Sequence, residues 1–318
     1  MNIFTKVQRV WRCQFAHAMH RLWRTFKPEI FYKHPVLLNK VWYASVYGYF
    51  PNFKHPQDFN AQLMAISLAA YKDETQRNLR IQCADKYAVR QYVADKGFPE
   101  ILNECYGVYD SFDEIDFDKL PNQFVLKTTN GSGQNYICKD KSKMDKEVLK
   151  KQFEIWIAAT KDFGLTTGEW HYSQMKPRII AEKYLSSFGE STSIIDYKFQ
   201  CLRGKVYGEF VCYDRIPGIA HHVNFDHYDV NWNLTDNIKH ECHKHRRLID
   251  CPKSFAQMKL IAEKLSSDFD YCRVDLYEIE GKIFFGELTF SPAGNIMTYY
   301  TQDTLVDMLK FYETNKRI

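Results

Sequence analysis

The sequence predicts an α+β fold whose functional face lies on an antiparallel sheet. Three observations carry this. Helix-period segments occur without regular strand–helix alternation, which argues against a doubly wound parallel sheet. Residues 194–201 with 205–213, and 271–279 with 282–290, read as antiparallel pairs turning at Arg203-Gly204 and Glu280-Gly281. In the second pair, polar and apolar residues separate cleanly by strand parity. At 318 residues the chain is long enough for one large domain or two lobes around a cleft.

Taken in order, residues 1–50 carry Lys6, Arg9, Arg12, Arg21, Arg24, Lys27, Lys33 and Lys40, nearly unopposed by acids. Val7, Trp11, Phe15, Leu22, Trp23 and Phe26 interleave with them at helical spacing. Such a helix suits peripheral contact with an anionic membrane surface, or packing on its own domain or on a partner. Residues 58–71 read as an apolar helix through Phe59, Leu63, Ile66 and Ala70. Residues 85–93 read as a helix capped by Asp85, stopped near Gly97 with Pro99 beyond, and presenting Lys86 and Arg90 on one face. A short strand at 124–127 runs into a loop at 128–135. A helix at 146–160 and a strand at 178–184 follow. The stretch 216–250 is polar and reads as irregular. Pro252 opens a helix with Phe255, Met258, Ala262 and Leu265 on one side.

Composition narrows the function classes. Net charge is +4 and the pI about 8.4, too mild for a dedicated nucleic-acid binder but suited to an anionic small molecule. Nine scattered cysteines, odd in number and without a Cys-x-x-Cys pair, point to a reducing cytoplasmic compartment. No apolar run reaches the ~18 residues of a membrane span. Aromatic residues make up 16% of the chain, which fits an aromatic-rich core.

The chemistry concentrates on three phrases. Arg273 and Asp275 share one strand face, and Glu287 and Thr289 share one face of the next. If Asp275 lies opposite Glu287, then Arg273 lies opposite Thr289 and Val274 opposite Leu288, which gathers the polar groups on one side. This register needs an odd loop or a bulge around Glu280-Gly281; a tight two-residue turn would set Asp275 opposite Gly286 and split the carboxylates. Adjacent carboxylates repel, and a magnesium ion with phosphate oxygens resolves the conflict. A surface cluster of Arg, Asp and Glu is the alternative. The second phrase is Phe124-Val-Leu-Lys127 followed by Gly131-Ser132-Gly133. Its glycines let backbone N–H groups approach phosphates beside a lysine, although a plain flexible turn has the same composition. It is neither a Walker A loop nor a Rossmann fingerprint. The third, Ala181-Glu182-Lys183-Tyr184-Leu185, has no meaning in isolation.

In this order these phrases, with Asp85-Lys86 and Arg90, Asp196-Tyr197-Lys198-Phe199 and Phe285-Gly286-Glu287-Leu288, resemble the ATP-grasp superfamily, and most closely its teichuronopeptide-biosynthesis (TupA-like) group. The resemblance covers residues ~80–300. It implies an ATP-grasp fold of two α+β lobes clamping ATP, over residues 81–318, with a small lobe at about 120–185 and a large lobe at about 186–318. Residues 1–80 would form a basic, mostly helical region in place of the usual α/β pre-grasp domain. It implies that Arg90, Lys127, Gly131, Ser132, Gly133, Glu182, Lys183, Leu185 and Asp196 (or Glu190) bind ATP, with the strand edge at Glu182–Leu185 reading adenine. It implies Asp275, Glu287 and Thr289 as Mg2+ ligands, and Arg273, Lys198 and the backbone at Gly294 as the groups that offset charge in the reaction. Thr289 stands where many members have asparagine; Asn295 is the nearby substitute.

The implied activity is a carboxylate–amine ligase working through an acyl-phosphate, with an amino acid and an acidic sugar of a cell-surface polysaccharide precursor as the substrate classes. An ATP-dependent phosphotransferase, a glycosyltransferase-like protein and a non-catalytic protein are the alternatives. His221, His222, His227, His240, His243 and His245 crowd the polar stretch beside Cys242 and Cys251. Their spacing fits no standard zinc site, and the stretch reads as a long loop over the cleft that meets an anionic acceptor through Arg215, Arg246 and Arg247.

Overall fold

The computed structural model describes residues 3–26, 33–159, 164, 168–186, 193–216, 223–242 and 247–315. The chain opens with helices α1 (Ile3–Phe26), α2 (Pro35–Tyr47), α3 (Phe59–Lys72), α4 (Glu74–Ala84) and α5 (Val89–Asp95). Asp58 caps α3 by accepting a hydrogen bond from the Ala61 N–H at 2.9 Å. Asp85 also caps, accepting from the Tyr87 and Ala88 N–H groups. The expected helix from Asp85 therefore begins only at Val89; residues 85–88 are a turn.

A four-stranded antiparallel sheet follows, built from β1 (Cys105–Tyr109), β2 (Phe124–Thr128), β3 (Asn135–Cys138) and β4 (Ile179–Lys183) in the order β1-β4-β2-β3. Helix α6 (Lys146–Ala159) covers it through Leu149 and Phe153, which pack with Phe124 and Leu126. Because β1 pairs with β4, this sheet starts well before the expected small-lobe boundary at residue 120.

After a short helix α7 (Trp170–Ser173), a six-stranded antiparallel sheet contains β5 (Asp196–Leu202), β6 (Lys205–Tyr213), β7 (Asn224–Tyr228), β8 (Leu234–Thr235), β9 (Tyr271–Ile279) and β10 (Lys282–Thr289). Its order is β10-β9-β5-β6-β7-β8. Helix α8 (Phe255–Ser266) seals one face, setting Met258, Ile261 and Leu265 against Phe199, Val211, Val274 and Leu276. On the other face, α3 and α9 (Gln302–Thr314) cover one end, where Phe59, Leu63, Leu305 and Met308 meet Phe210 and Tyr271. Helix α3 is thus integral to this lobe, so residue 80 is not a structural division.

Two findings correct the expectations. The stretch 216–250 is not all irregular: β7 and β8 extend the sheet, and His227 is buried in β7 with its ring against Thr235 Oγ1 at 2.9 Å. It is a core residue rather than part of a loop over the cleft. The β9–β10 turn is the tight two-residue kind, with Ile279 opposite Lys282 and positive φ at Glu280 and Gly281. The expected pairing of Asp275 with Glu287, Val274 with Leu288 and Arg273 with Thr289 holds nonetheless, because a bulge between Phe285 and Glu287 restores it.

Candidate active site

Strand parity delivers the charges. Tyr271, Arg273 and Asp275 point to one face of β9, and Lys198 of β5 lies directly opposite Asp275. The side chains close into a dense network beyond the end covered by α3 and α9. Arg273 forks onto Asp275, donating from Nε to Oδ1 and from Nη2 to Oδ2, both at 2.7 Å, and Nη2 also donates to Glu287 Oε1 at 2.8 Å. Lys198 Nζ donates to Asp275 Oδ2 and pairs with Asp196 at 2.6 Å. Thr289 Oγ1 donates to the same Glu287 Oε1 at 3.1 Å, fixing that carboxylate.

Burial pushes the Asp275 carboxyl up to about 6, although Arg273 and Lys198 pull it down. For Glu287 burial again opposes charge, but Arg273, Lys198, Lys86 and the Thr289 hydroxyl outweigh it and hold the carboxyl at about 2. Glu287 keeps 44% of its side chain accessible, so its charge is stabilised at the mouth of the site rather than in the interior. For Lys198, burial disfavours the cation, and Asp196 and Asp275 overcome it.

The four-stranded sheet supplies a second group. Lys127 Nζ donates to Glu182 Oε2 at 2.7 Å, and Arg90 Nη1 stands 3.6 Å from Glu182 Oε1. Arg90 also donates from Nη2 to the Asn103 carbonyl at 2.7 Å. Loop 128–134 joins β2 to β3. A Cβ on Gly131 would lie 2.1 Å from Thr128 Oγ1 and from Gln134 Oε1, so a larger residue there would displace the Thr128–Gln134 hydrogen bond; Ser132 and Gly133 are exposed at its tip. Lys86 holds this loop and feels the charge of the other sheet. Its Nζ donates to the Gly131 carbonyl, and its charge is lowered first by desolvation, while Glu287 favours and Lys127 disfavours it. Lys86 is therefore within electrostatic reach of both Lys127 and the β10 carboxylate.

Other expected positions fall differently. Glu182 sits on a central strand, not an edge, and its carboxylate is taken by Lys127 and Arg90. The Lys183 backbone is engaged on both sides, its N–H to the Glu104 carbonyl and its carbonyl from Asn103 Nδ2, and its side chain faces Glu104 at 3.7 Å. Among the described residues, backbone not already taken up by pairing begins beyond Lys183, at Tyr184 and the half-buried Leu185. Gly294 lies in a left-handed stretch with Ala293 and Asn295, at φ 63°, 50° and 66°, and its N–H already donates to Ser291 O. Asn295 accepts from Ser67 Oγ at 2.9 Å, which directs it toward α3. Glu190, Arg246 and His221, His222, His243 and His245 lie outside the described residues. Arg247 forks onto Asp214, and Arg215 reaches Asp196 at 3.8 Å.

Three further residues belong to this region although the sequence pattern does not single them out for it. Lys86 sits in the Asp85-Lys86 phrase, where its spacing from Arg90 predicts a helix face. Asn130, in the glycine loop, is fully buried with both side-chain polar atoms lacking a hydrogen-bond partner among the described residues. Tyr172 of α7 is half-buried; desolvation raises its hydroxyl well above the usual range, and it feels Glu287, Arg273 and Asp275.

The buried atoms test the fit of a metal–nucleotide. Asp275 and Glu287 are neighbouring carboxylates too few to enclose an ion alone, and no group of three or more metal-type side chains occurs among the described residues. That donor set suits magnesium completed by phosphate oxygens. Among the described residues Asp196 Oδ1 is buried without a hydrogen-bond partner, an acceptor suited to a sugar hydroxyl. Two Asp-x-Asp pairs also exist, but Asp116 pairs with Lys119, Asp268 with Lys96 and Asp270 with Arg203.

Several solved structures are similar to this chain. The L-amino acid ligase from Bacillus licheniformis is 12% identical, with a TM-score of 0.45, over 74% of this chain and 49% of its own. D-alanine–D-alanine ligase from Helicobacter pylori is 16% identical, with a TM-score of 0.38, over 72% and 61%. The ATP-grasp ligase PsnB, solved with its minimal precursor, Mg and ADP, is 13% identical, with a TM-score of 0.40, over 80% and 66%. The chain thus spans less than two thirds of the length of the two amino-acid ligases. No curated protein matches significantly. The family model described as TupA-like ATPgrasp matches residues 66–309, most of the chain, so this protein belongs to the TupA-like ATP-grasp family and has its α+β fold with a helical N-terminal region.

Proposed function

We propose that the protein is an ATP- and magnesium-dependent carboxylate–amine ligase acting through an acyl-phosphate, with an amino acid and an acidic sugar of a surface-polysaccharide precursor as its substrate classes. The observation that carries this reading is the single face on which Arg273, Asp275, Glu287 and Lys198 converge, with Lys86, bonded to the glycine loop, feeling both Glu287 and Lys127.

In this reading Asp275 and Glu287 hold magnesium, with Thr289 keeping one Glu287 oxygen in place. Bound ATP and magnesium supply an activated phosphoryl group and neutralise its charge. Lys127, Lys86 and Arg90 orient the phosphates, and the Gly131–Gly133 loop covers them. Asp196 accepts a ribose hydroxyl through Oδ1, and Tyr184–Leu185 offer the backbone edge for adenine. Lys198 and Arg273 offset negative charge where the carboxylate is activated. A donor held in place before reaction is typically worth ~10²–10³ in rate. The acidic-sugar substrate rests on the family's name and on the cationic surroundings alone.

The test is a screen of amino acids paired with uronic acids for amine-dependent release of ADP, with the amide product identified by mass. ADP release with a phosphorylated product and no amide would replace this reading by phosphotransfer. No nucleotide binding at all would replace it by a non-catalytic role.

A further inference from the structure

The ligase reading makes no use of the outer face of α1. The inner face is firmly docked. Arg9 Nε donates to the Tyr47 carbonyl at 3.0 Å, Ala16 packs with Val41 and Ala44, and the His20 ring lies 5.1 Å from Trp42. Gly48, at φ 76°, permits the approach: a Cβ there would stand 2.7 Å from Arg9 Cγ and 3.0 Å from the Arg9 carbonyl. The rotation of α1 about its axis is therefore fixed.

A helix docked by one face should present polar residues on the other. Here Trp11, Phe15 and Leu22 remain 70%, 68% and 54% exposed. At 100° per residue these three fall within about 40° of one another, a continuous apolar stripe rather than scattered residues. Arg12 and Arg21, both exposed, fall on opposite sides of it. The surrounding charge is one-sided. Residues 1–57 hold nine Lys and Arg but a single acid, Glu29. No helix among the described residues is long and apolar enough to cross a bilayer.

We propose that α1 is a peripheral anchor lying in the plane of an anionic bilayer, with Trp11, Phe15 and Leu22 in the headgroup–acyl boundary and Arg12 and Arg21 on lipid phosphates. An aromatic stripe bordered by arginines matches that surface in both polarity and charge. A second copy of the chain would meet the same positive field and be repelled.

The test is co-sedimentation of the full chain with vesicles of phosphatidylcholine, with and without about 30% phosphatidylglycerol. Binding is expected only with the anionic lipid, and should fall several-fold when salt rises to ~0.5 M. The W11S/F15S variant should partition at least ~10-fold more weakly, since each ring contributes a large apolar area. The R12E/R21E variant should lose the preference for anionic lipid. Both variants should retain wild-type nucleotide affinity and thermal unfolding, because neither touches the cleft. Equal binding to neutral vesicles, wild-type binding by W11S/F15S, or absence of binding would overturn the proposal. So would a wild-type dimer that W11S/F15S converts to monomer without changing vesicle binding.

Discussion

Replacing Gly286 by alanine tests how the sheet builds the site. The two-residue Glu280-Gly281 turn fixes Ile279 opposite Lys282, and plain continuation would bring Asp275 opposite Gly286 and send Glu287 to the α8 face. The bulge at Gly286 inserts the missing step. Its glycine is required by space: a Cβ would lie 2.9 Å from the Asp275 carbonyl and 2.9 Å from Tyr277 Cε2. The carbonyl is backbone, which cannot rotate away, so the bulge or β9 must shift. Forcing one methyl into such a contact costs about 1–3 kcal/mol, less than a domain's total stability of ~5–15 kcal/mol, so G286A should fold. Its carboxylates should not stay in register, and turnover should fall ~10²-fold or more. G281A is the control. It meets nothing within 4 Å but sits at φ 74°, so it should lose comparable stability and keep its activity. Urea unfolding with steady-state ADP release reads both quantities. A G286A enzyme within ~2-fold of wild type, or a G281A enzyme equally inactive, would refute the argument.

Three further outcomes are expected. D275N and E287Q should each lower magnesium-dependent turnover by ~10³-fold while circular dichroism shows the fold retained, D275N melting lower because it leaves Arg273 and Lys198 without their buried counter-ion and the more exposed E287Q staying nearer wild type; normal turnover in either removes that residue from the metal site. K86M should raise the KM for ATP by ~10-fold or more with a smaller change in kcat, and an unaltered KM would end its assignment to the phosphates. Glu209 is fully buried on β6 with neither carboxylate oxygen hydrogen-bonded among the described residues, and burial pushes it up to about 9 from an ordinary 4.5. Its folded value lies above its unfolded one, so stability is complete below about pH 4 and lost as pH rises towards 9. At ~1.4 kcal/mol per unit the loss by pH 7 is on the order of 3 kcal/mol. E209Q should flatten this slope and melt higher at pH 8, whereas a melt unchanged across that range would show the carboxyl to be solvated.

How much the sequence revealed depended on whether a residue's role followed from local parity. The pairing of Asp275 with Glu287 was legible because only one register keeps Val274 and Leu288 in the core. The position of the bulge was not, since crowding by Asp275 and Tyr277 is a property of the folded neighbours. Strand β7, Asn-Phe-Asp-His-Tyr, hid behind its polarity; β6 supplies its pairing, and Asp226 accepts from Tyr213 at 2.7 Å while His227 meets Thr235. Lys86 looked like a helix-face partner of Arg90, but the Asp85 cap holds it in a turn, from which it reaches the glycine loop. Glu182 looked like the edge that reads a base. Its neighbours on both sides, β1 and β2, are distant in sequence, and only their pairing shows it to be a central strand's counter-ion for Lys127 and Arg90.

The arrangement of opposite charges explains how a cleft so rich in ions persists. Burying an unpaired charge is costly, and removing one partner of a buried pair costs several kcal/mol. Here the pairing is arranged sheet by sheet. Glu182 answers Lys127 and Arg90 on the four-stranded sheet, while Asp275, Glu287 and Asp196 answer Arg273 and Lys198 on the six-stranded one. Each lobe therefore carries its own counter-charges, and the two can draw apart without leaving an ion orphaned. Lys86 is different: it is desolvated at the junction and favoured by Glu287 across it. Under the proposed function, a metal–triphosphate between the lobes would bring both signs of charge and would exchange with the internal pairs on each side: cation against carboxylates, phosphates against lysines. The electrostatic cost of these ions is already met within each lobe before any ligand arrives.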